Sequence, residues 1–305
     1  MLTYTDDCLF TSDYSEEIDR MRTQLLGKYE GRDLGAPEKL GVAVRVDETG
    51  TTLHQQRYAQ NIIIDGMGSM DVRTPSSPLD PGMDLTARQN NEEELDTNRC
   101  PYANILGKLM FLAGMTRPDL HNRVRELGRP AASPCLRHWH GLQNMLRYLS
   151  ETMNIGLHYP ERTRLVTGYA DSDWANDSET PRSVTPYLSL FNGSPIICRS
   201  KLQGAITLSC SEAEWTAMAH GMRYCIVIRG ILAEMGILQA VTVWYGDNRD
   251  ALQAAAITDF NGRIKYVDTK LKCTGEYIGR GLFDVQFVPT TRQLADIFTK
   301  RLRKP

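Results

Sequence analysis

The order of apolar segments after residue 163 places the strongest constraint on the fold. Short apolar runs flank Asn192-Gly193-Ser194, residues typical of a hairpin turn, and predict a pair of antiparallel strands. Further apolar runs alternate with segments of helical periodicity. The predicted elements are strands at 165–170, 187–191, 196–199, 206–208, 241–245 and 283–288, and helices at 212–235, 250–257, 270–280 and 292–301. This order predicts a mixed α/β fold, in which helices pack on one mixed sheet.

Four short acidic motifs lie at the edges of these predicted elements. Packing of the elements against one another would bring four carboxylates to one point. Carboxylate oxygens are ligands that Mg²⁺ prefers, and a pair of divalent ions is a common means of hydrolysing phosphodiesters. The pattern therefore favours a nuclease or phosphotransferase site. The motifs are Ala170-Asp171-Ser172-Asp173-Trp174, Ser211-Glu212-Ala213-Glu214, Tyr245-Gly246-Asp247-Asn248 and Gln293-Leu294-Ala295-Asp296.

Two of these motifs also have a purely structural explanation. Ser211 and Glu214 have the spacing of a capping box, in which the glutamate bonds back to the start of the helix. Glu212 could satisfy the same cap and leave Glu214 for a metal. Asp247 or Asn248 could cap the helix that follows.

The other two motifs are weighed in the same way. A turn at the end of a strand explains Asp171 and Asp173 about equally well. Asp296 is flanked by apolar residues, and a lone buried carboxylate is costly unless it is paired or bound to a metal. The presence of four such acids in one small domain favours a shared site over four unrelated caps.

The first half of the chain has a different organisation. It begins with a short hairpin pattern around Tyr4-Thr5-Asp6-Asp7, and strands are predicted at 42–46 and 51–53. Proline-punctuated polar sequence at 74–99 is typical of a linker, and helical periodicity follows from residue 102 to about 150. We therefore predict four regions: 1–75, a linker at 76–101, a helical segment at 102–160, and the α/β domain at 163–305.

Composition excludes several classes of protein. A chain of 305 residues with 41% hydrophobic and 24% charged residues is typical of a soluble, intracellular globular protein, and no stretch approaches a membrane span. Its seven cysteines form no CxxC pair, which argues against a zinc site or a disulfide framework. The net charge of −2 argues against a simple nucleic-acid coat protein, although residues 263–272 and 300–304 are locally basic.

In combination, the motifs of the chain resemble the C-terminal part of the polyprotein of copia-type retrotransposons. Tyr4-Thr5-Asp6-Asp7 is similar to the YxDD box of the reverse transcriptase palm. Residues 102–160 resemble the connecting helical segment, and residues 163–305 resemble the ribonuclease H (RNase H) domain. The motifs that carry the resemblance are Gly107-Lys108-Leu109-Met110-Phe111-Leu112, Thr116-Arg117-Pro118-Asp119, Tyr169-Ala170-Asp171-Ser172-Asp173-Trp174-Ala175, Ser211-Glu212-Ala213-Glu214, Asp247-Asn248 and Gln293-Leu294-Ala295-Asp296-Ile297-Phe298-Thr299-Lys300.

The resemblance implies a fold, a reaction and a metal site. The fold is a five-stranded mixed sheet flanked by helices, preceded by a truncated palm and connection region. The reaction is hydrolysis of the RNA strand of RNA–DNA hybrids, with two Mg²⁺ ions, or Mn²⁺ in their place. The implied partners are the hybrid and the rest of the polyprotein, with no membrane, in the cytoplasm (virus-like particles) or the nucleus. Residues that match the family's catalytic metal ligands are Asp171, Glu214, Asp247 and Asp296, with Glu212 as a rival to Glu214.

The chain also departs from the family pattern. Asp6 and Asp7 match two metal ligands of the polymerase site, but the preceding part of the palm is missing, so we expect no polymerase activity from this chain. Pro186 stands where the family has glycine, and Cys198 where it has tryptophan. A catalytically inactive relic that only binds or serves as structure is the alternative, and a two-metal nuclease acting on DNA is a third hypothesis.

Overall fold

The computed structural model describes residues 2–4, 7–12, 14–33, 38–39, 41–67, 85–86, 88–161, 164–172, 183–202, 209–256 and 273–298. Within these ranges the other predicted strands of the second half are present, as are the helices predicted at 212–235, 250–257 and 270–280. The strand predicted at 206–208 lies outside the described ranges. The strands are β1 Leu2–Tyr4, β2 Asp7–Leu9, β3 Glu38–Lys39, β4 Val42–Asp47, β5 Gly50–His54, β6 Leu157–Pro160, β7 Val166–Ala170, β8 Val184–Phe191, β9 Ser194–Leu202, β10 Thr242–Gly246 and β11 Phe283–Phe287. The helices are α1 Ser15–Lys28, α2 Gln56–Met67, α3 Tyr102–Met115, α4 His121–Gly128, α5 Leu136–Glu151, α6 Cys210–Glu234, α7 Arg249–Ala256 and α8 at residues 273–279.

Strands β7 to β11 form one five-stranded sheet in the order β11-β10-β7-β8-β9. The neighbours β7, β8 and β9 are antiparallel, whereas β10 runs parallel to both β7 and β11. The hairpin between β8 and β9 turns at Asn192 and Gly193, whose φ angles of 56° and 82° are the positive values that a type I′ turn requires. The predicted mixed sheet is confirmed.

Apolar side chains cover both faces of this sheet. On one face, Met218 and Met222 of α6 pack with Trp244 of β10 and Phe283 of β11, all of them buried. On the other face, β8 packs against Phe298, which lies in a short 3-10 helix, Leu294–Phe298. The last helix predicted at 292–301 is therefore a 3-10 turn where it is described.

Close packing around Trp244 leads to a stability prediction. A Cβ added at Gly221 of α6 would overlap the indole ring of Trp244, whereas one added at Gly230 of the same helix meets nothing within 4 Å. We expect Gly221→Ala to lower the free energy of unfolding by about 1–3 kcal/mol through overpacking. Gly230→Ala should raise it by up to about 1 kcal/mol, because alanine is the better helix former. Urea unfolding of both variants measures the difference, and equal stabilities would contradict this packing.

The first half contains a four-stranded antiparallel sheet and a helical core. The sheet has the order β3-β4-β5-β6, so that β6, which follows α5 in the chain, pairs with β5 about a hundred residues earlier. Helices α2, α3, α4 and α5 share one buried cluster that contains Ile62, Leu109, Leu127 and Leu146. Residues 56–67 thus share a core with 102–149, and the domain boundaries stay predictions.

Polar contacts connect this first half to the five-stranded sheet. Tyr159 of β6 donates a hydrogen bond to the carbonyl of Pro195, and Asn192 donates one to the carbonyl of Pro160 at 3.1 Å. The His121 ring of α4 lies edge-on to Phe298, with ring centroids 5.9 Å apart. The helical segment therefore packs against the 3-10 turn that carries Asp296.

Candidate metal centre

Two of the predicted acids follow parallel strands. Asp171 comes directly after β7, and Asp247 comes directly after β10. Because β7 and β10 run parallel and lie side by side, their carboxyl ends meet at the same edge of the sheet. This topology, rather than any local signal, brings the two carboxylates together.

Pro186 lies beside Asp171 and does not disrupt the sheet. It pairs with Ser200 of β9, and its carbonyl accepts the backbone N–H of Asp171 at 3.2 Å. The pairing of β7 with β8 ends one residue earlier, at Ala170 and Tyr187. Position 186 therefore lies just beyond the last paired residues of β7 and β8, where no backbone N–H is needed for the ladder. Such a position tolerates proline.

Three of the four predicted acids form a close cluster. One carboxylate oxygen from each of Asp171, Asp247 and Asp296 lies within 4.8 Å of the other two. Glu214 is outside this trio but close enough to interact electrostatically with all three. Asp171 and Glu214 are buried, with 5% and 6% of their surface exposed, and the other two acids are half-buried. The four acids thus meet at one edge of the sheet.

The start of helix α6 separates the roles of Glu212 and Glu214. The helix is capped by Ser209, whose hydroxyl oxygen accepts the backbone N–H of Glu212 at 3.1 Å. The capping-box spacing that the sequence suggested for Ser211 and Glu214 is therefore wrong by two residues, because the cap position is Ser209. Glu212 lies in the first turn, and its backbone N–H is the one that Ser209 caps. Glu214 lies beyond the first turn and is buried beside the cluster.

Asp247, the acid that follows β10, likewise does not cap a helix. Asn248 caps α7, since its side-chain oxygen accepts the backbone N–H of Ala251 at 3.0 Å. Asp247 instead accepts a hydrogen bond from the Thr290 hydroxyl at 2.7 Å. Thr290 was not among the residues predicted from the sequence, because no sequence signal marks a lone threonine as an orienting residue.

Electrostatic strain within the cluster is large. Burial and the nearby carboxylates of Asp296 and Asp247 raise the pKa of Asp171 to about 7. Burial, together with the carboxylates of Asp171 and Asp247, raises the pKa of Glu214 to about 9. The backbone N–H of Ser172 opposes both shifts but does not offset them. Burial and mutual repulsion within the cluster thus favour the protonated forms of Asp171 and Glu214 when no cation is bound.

The donor set of the cluster fits a hard divalent cation. Its ligands are carboxylate oxygens, which match Mg²⁺ and Mn²⁺, and neither a thiolate nor an imidazole belongs to the trio. A bound cation would neutralise the repulsion that raises the two pKa values. The residues that would hold it are Asp171, Asp247 and Asp296, with Glu214 beside them.

Other predicted positions have less structural description. Asp6 and Asp173 lie outside the described residues, as do the basic segments 263–272 and 300–304. Asp7 is the first residue of β2, which pairs with β1 as the predicted hairpin. A metal role for Asp6 and Asp7 stays a prediction.

The chain is similar over its whole length to curated transposon polyproteins. It is 28% identical over 306 residues to the retrovirus-related Pol polyprotein from transposon TNT 1-94 of Nicotiana tabacum, which covers 98% of this chain and 23% of that protein. It is 29% identical over 307 residues to the retrovirus-related Pol polyprotein from transposon RE1 of Arabidopsis thaliana, covering 100% of this chain and 21% of that protein. The chain is a homologue of these retrovirus-related Pol polyproteins.

The chain spans about a fifth of the length of these curated relatives. Its five-stranded mixed sheet has the RNase H-like fold that the sequence resemblance implies.

A foamy viral protease-reverse transcriptase in complex with RNA/DNA hybrid is structurally similar, with a TM-score of 0.49 and 12% identity over 92% of this chain and 34% of that chain. No protein-family model matches the chain. Among the described residues of the Pol homologue, no helix is long and apolar enough to cross a membrane.

Proposed function

We propose that the chain is the RNase H part of a copia-type retrotransposon polyprotein and hydrolyses the RNA strand of RNA–DNA hybrids. The observation that carries the proposal is the carboxylate trio at the carboxyl ends of β7 and β10. Homology to Pol polyproteins supports it, because these relatives are retroelement polyproteins. The remaining polyprotein is the expected protein partner, in virus-like particles of the cytoplasm or in the nucleus.

The chain's own residues have distinct tasks in this reaction. Asp171, Asp247 and Asp296 supply the oxygen ligands, and Thr290 holds the Asp247 carboxylate in one orientation. Burial of Asp171 and Glu214 keeps bulk water away from their carboxylates, which strengthens their attraction for a cation. Two Mg²⁺ ions, or Mn²⁺ ions in their place, would supply activation of the attacking water and stabilisation of the leaving 3′ oxygen. The RNA strand is distinguished from DNA by its 2′-hydroxyls.

A cleavage assay tests the proposal on the full chain. Labelled RNA–DNA hybrid, duplex DNA and single-stranded RNA of one sequence are incubated with the protein and Mg²⁺, and with EDTA as control. We expect cleavage of the RNA strand in the hybrid alone, and none with EDTA. Intact hybrid would contradict the proposal and favour an inactive relic. Equal cleavage of duplex DNA would favour a DNA nuclease.

A further inference from the structure

Gln293 is a buried polar residue that the proposed reaction does not use. Only 4% of its surface is exposed, although it lies in a segment whose neighbours Arg292 and Leu294 are exposed. Glutamine is rarely buried to this extent without hydrogen-bond partners that require it. The partners of Gln293 therefore indicate its role.

The nitrogen and the oxygen of the Gln293 amide each form a hydrogen bond with the backbone of a residue that precedes one of the clustered acids. Its side-chain nitrogen donates to the carbonyl of Ala170 at 2.8 Å, and Ala170 immediately precedes Asp171. Its side-chain oxygen accepts the backbone N–H of Ala295 at 3.3 Å, and Ala295 immediately precedes Asp296. One side chain thus connects the end of β7 to the 3-10 turn, two segments more than a hundred residues apart in the chain.

The backbone of Gln293 continues this connection. Its carbonyl accepts the N–H of Asp296 at 3.3 Å, and its own N–H donates to the carbonyl of Thr290 at 3.1 Å. Thr290 is the residue whose hydroxyl bonds Asp247. Gln293 is therefore linked by hydrogen bonds to the immediate surroundings of all three acids in the trio.

We infer that Gln293 is a positioning residue of the metal site, which sets the separation between the carboxylates of Asp171 and Asp296. The pairing of β7 with β10 ends at Tyr169, so the strand ladder does not hold the segment after it on that side. The Gln293 amide supplies the missing constraint. This inference rests on the proposed function, because it assigns Gln293 to the metal site of that reaction.

The test measures Mn²⁺ binding without nucleic acid, by calorimetry and electron paramagnetic resonance on the full chain. Gln293→Met keeps the length of the side chain and removes both the nitrogen and the oxygen of its amide group. We expect it to weaken Mn²⁺ binding by about 10- to 100-fold, as loss of residues that orient metal ligands does. Gln286→Met, at an exposed position of β11, should leave Mn²⁺ binding unchanged. Gln293→Asn, one methylene shorter, should weaken binding similarly and replaces Gln293→Met if that variant does not fold.

A double-mutant cycle separates positioning from a general structural role. In an Asp296→Asn background, Gln293→Met should weaken Mn²⁺ binding less than it does in the wild type, since one of the two ligands that it positions is already lost. A lower melting temperature with unchanged Mn²⁺ affinity would overturn the inference and leave the proposed function standing. A wild-type protein that binds no Mn²⁺ would overturn the metal site and this inference together.

Discussion

Asp247→Asn should greatly slow hybrid cleavage while leaving the fold intact. The asparagine side-chain oxygen can still accept the hydrogen bond from Thr290, so the local structure should persist. The variant lacks the negative charge and one of the two carboxylate oxygens that Asp247 contributes to the trio. We expect the cleavage rate to fall about 10³-fold, the scale of losing one strong electrostatic contribution to the transition state.

The matched control for this substitution is Asp250→Asn. Asp250 is an exposed acid in the first turn of α7, so its replacement changes the net charge by the same amount outside the cluster. Its cleavage rate should remain close to that of the wild type. Single-turnover assays at saturating Mg²⁺ compare the two variants. Equal rates for Asp247→Asn and the wild type would remove Asp247 from the reaction.

The metal-free protein should lose stability as the pH rises. In the unfolded chain, Asp171 and Glu214 titrate near their ordinary pKa values of 3.8 and 4.5, whereas in the folded protein their pKa values rise to about 7 and 9. Between these limits the folded protein binds more protons than the unfolded chain. The stability that is present below pH 4 is therefore lost as pH rises through about 7 and then 9.

The expected effect is large enough for a melting experiment. Each pKa unit corresponds to about 1.4 kcal/mol, so we expect the melting temperature in EDTA to be lower at pH 8.5 than at pH 5.5 by about 5 °C or more. Mg²⁺ should raise it most at pH 8.5, where the carboxylates are ionised. Glu214→Gln should flatten the EDTA profile, and Glu212→Gln should not. A profile that rises from pH 5.5 to 8.5 in EDTA would contradict the electrostatics of the cluster.

Local sequence signals were sufficient for most of the sheet. The Asn192-Gly193 turn needs positive φ at both residues, and the structure has them. Apolar runs identified β7, β10 and β11 to within one residue. The pairing of β5 with β6 was not predictable in this way, because it depends on packing between segments about a hundred residues apart.

The candidate site was predictable in composition but not in arrangement. The four acids stood out in the sequence, yet helix capping was the better explanation of Glu214 taken alone and a competing explanation of Asp247. Ser209 and Asn248 turn out to be the caps, because the helices begin at positions that sequence patterns define only to within a few residues. The roles of Gln293 and Thr290 could not be predicted from the sequence, because they arise from hydrogen bonds that only the tertiary fold creates.

The proposed reaction requires the carboxylate cluster beside the ends of β7 and β10 to bind a pair of divalent ions. Anomalous diffraction from crystals grown with Mn²⁺ tests it most directly. We expect two peaks at the cluster, in contact with Asp171, Asp247 and Asp296, with Glu214 beside one of them. Crystals grown with saturating Mn²⁺ that show no peak at this edge of the sheet would contradict it.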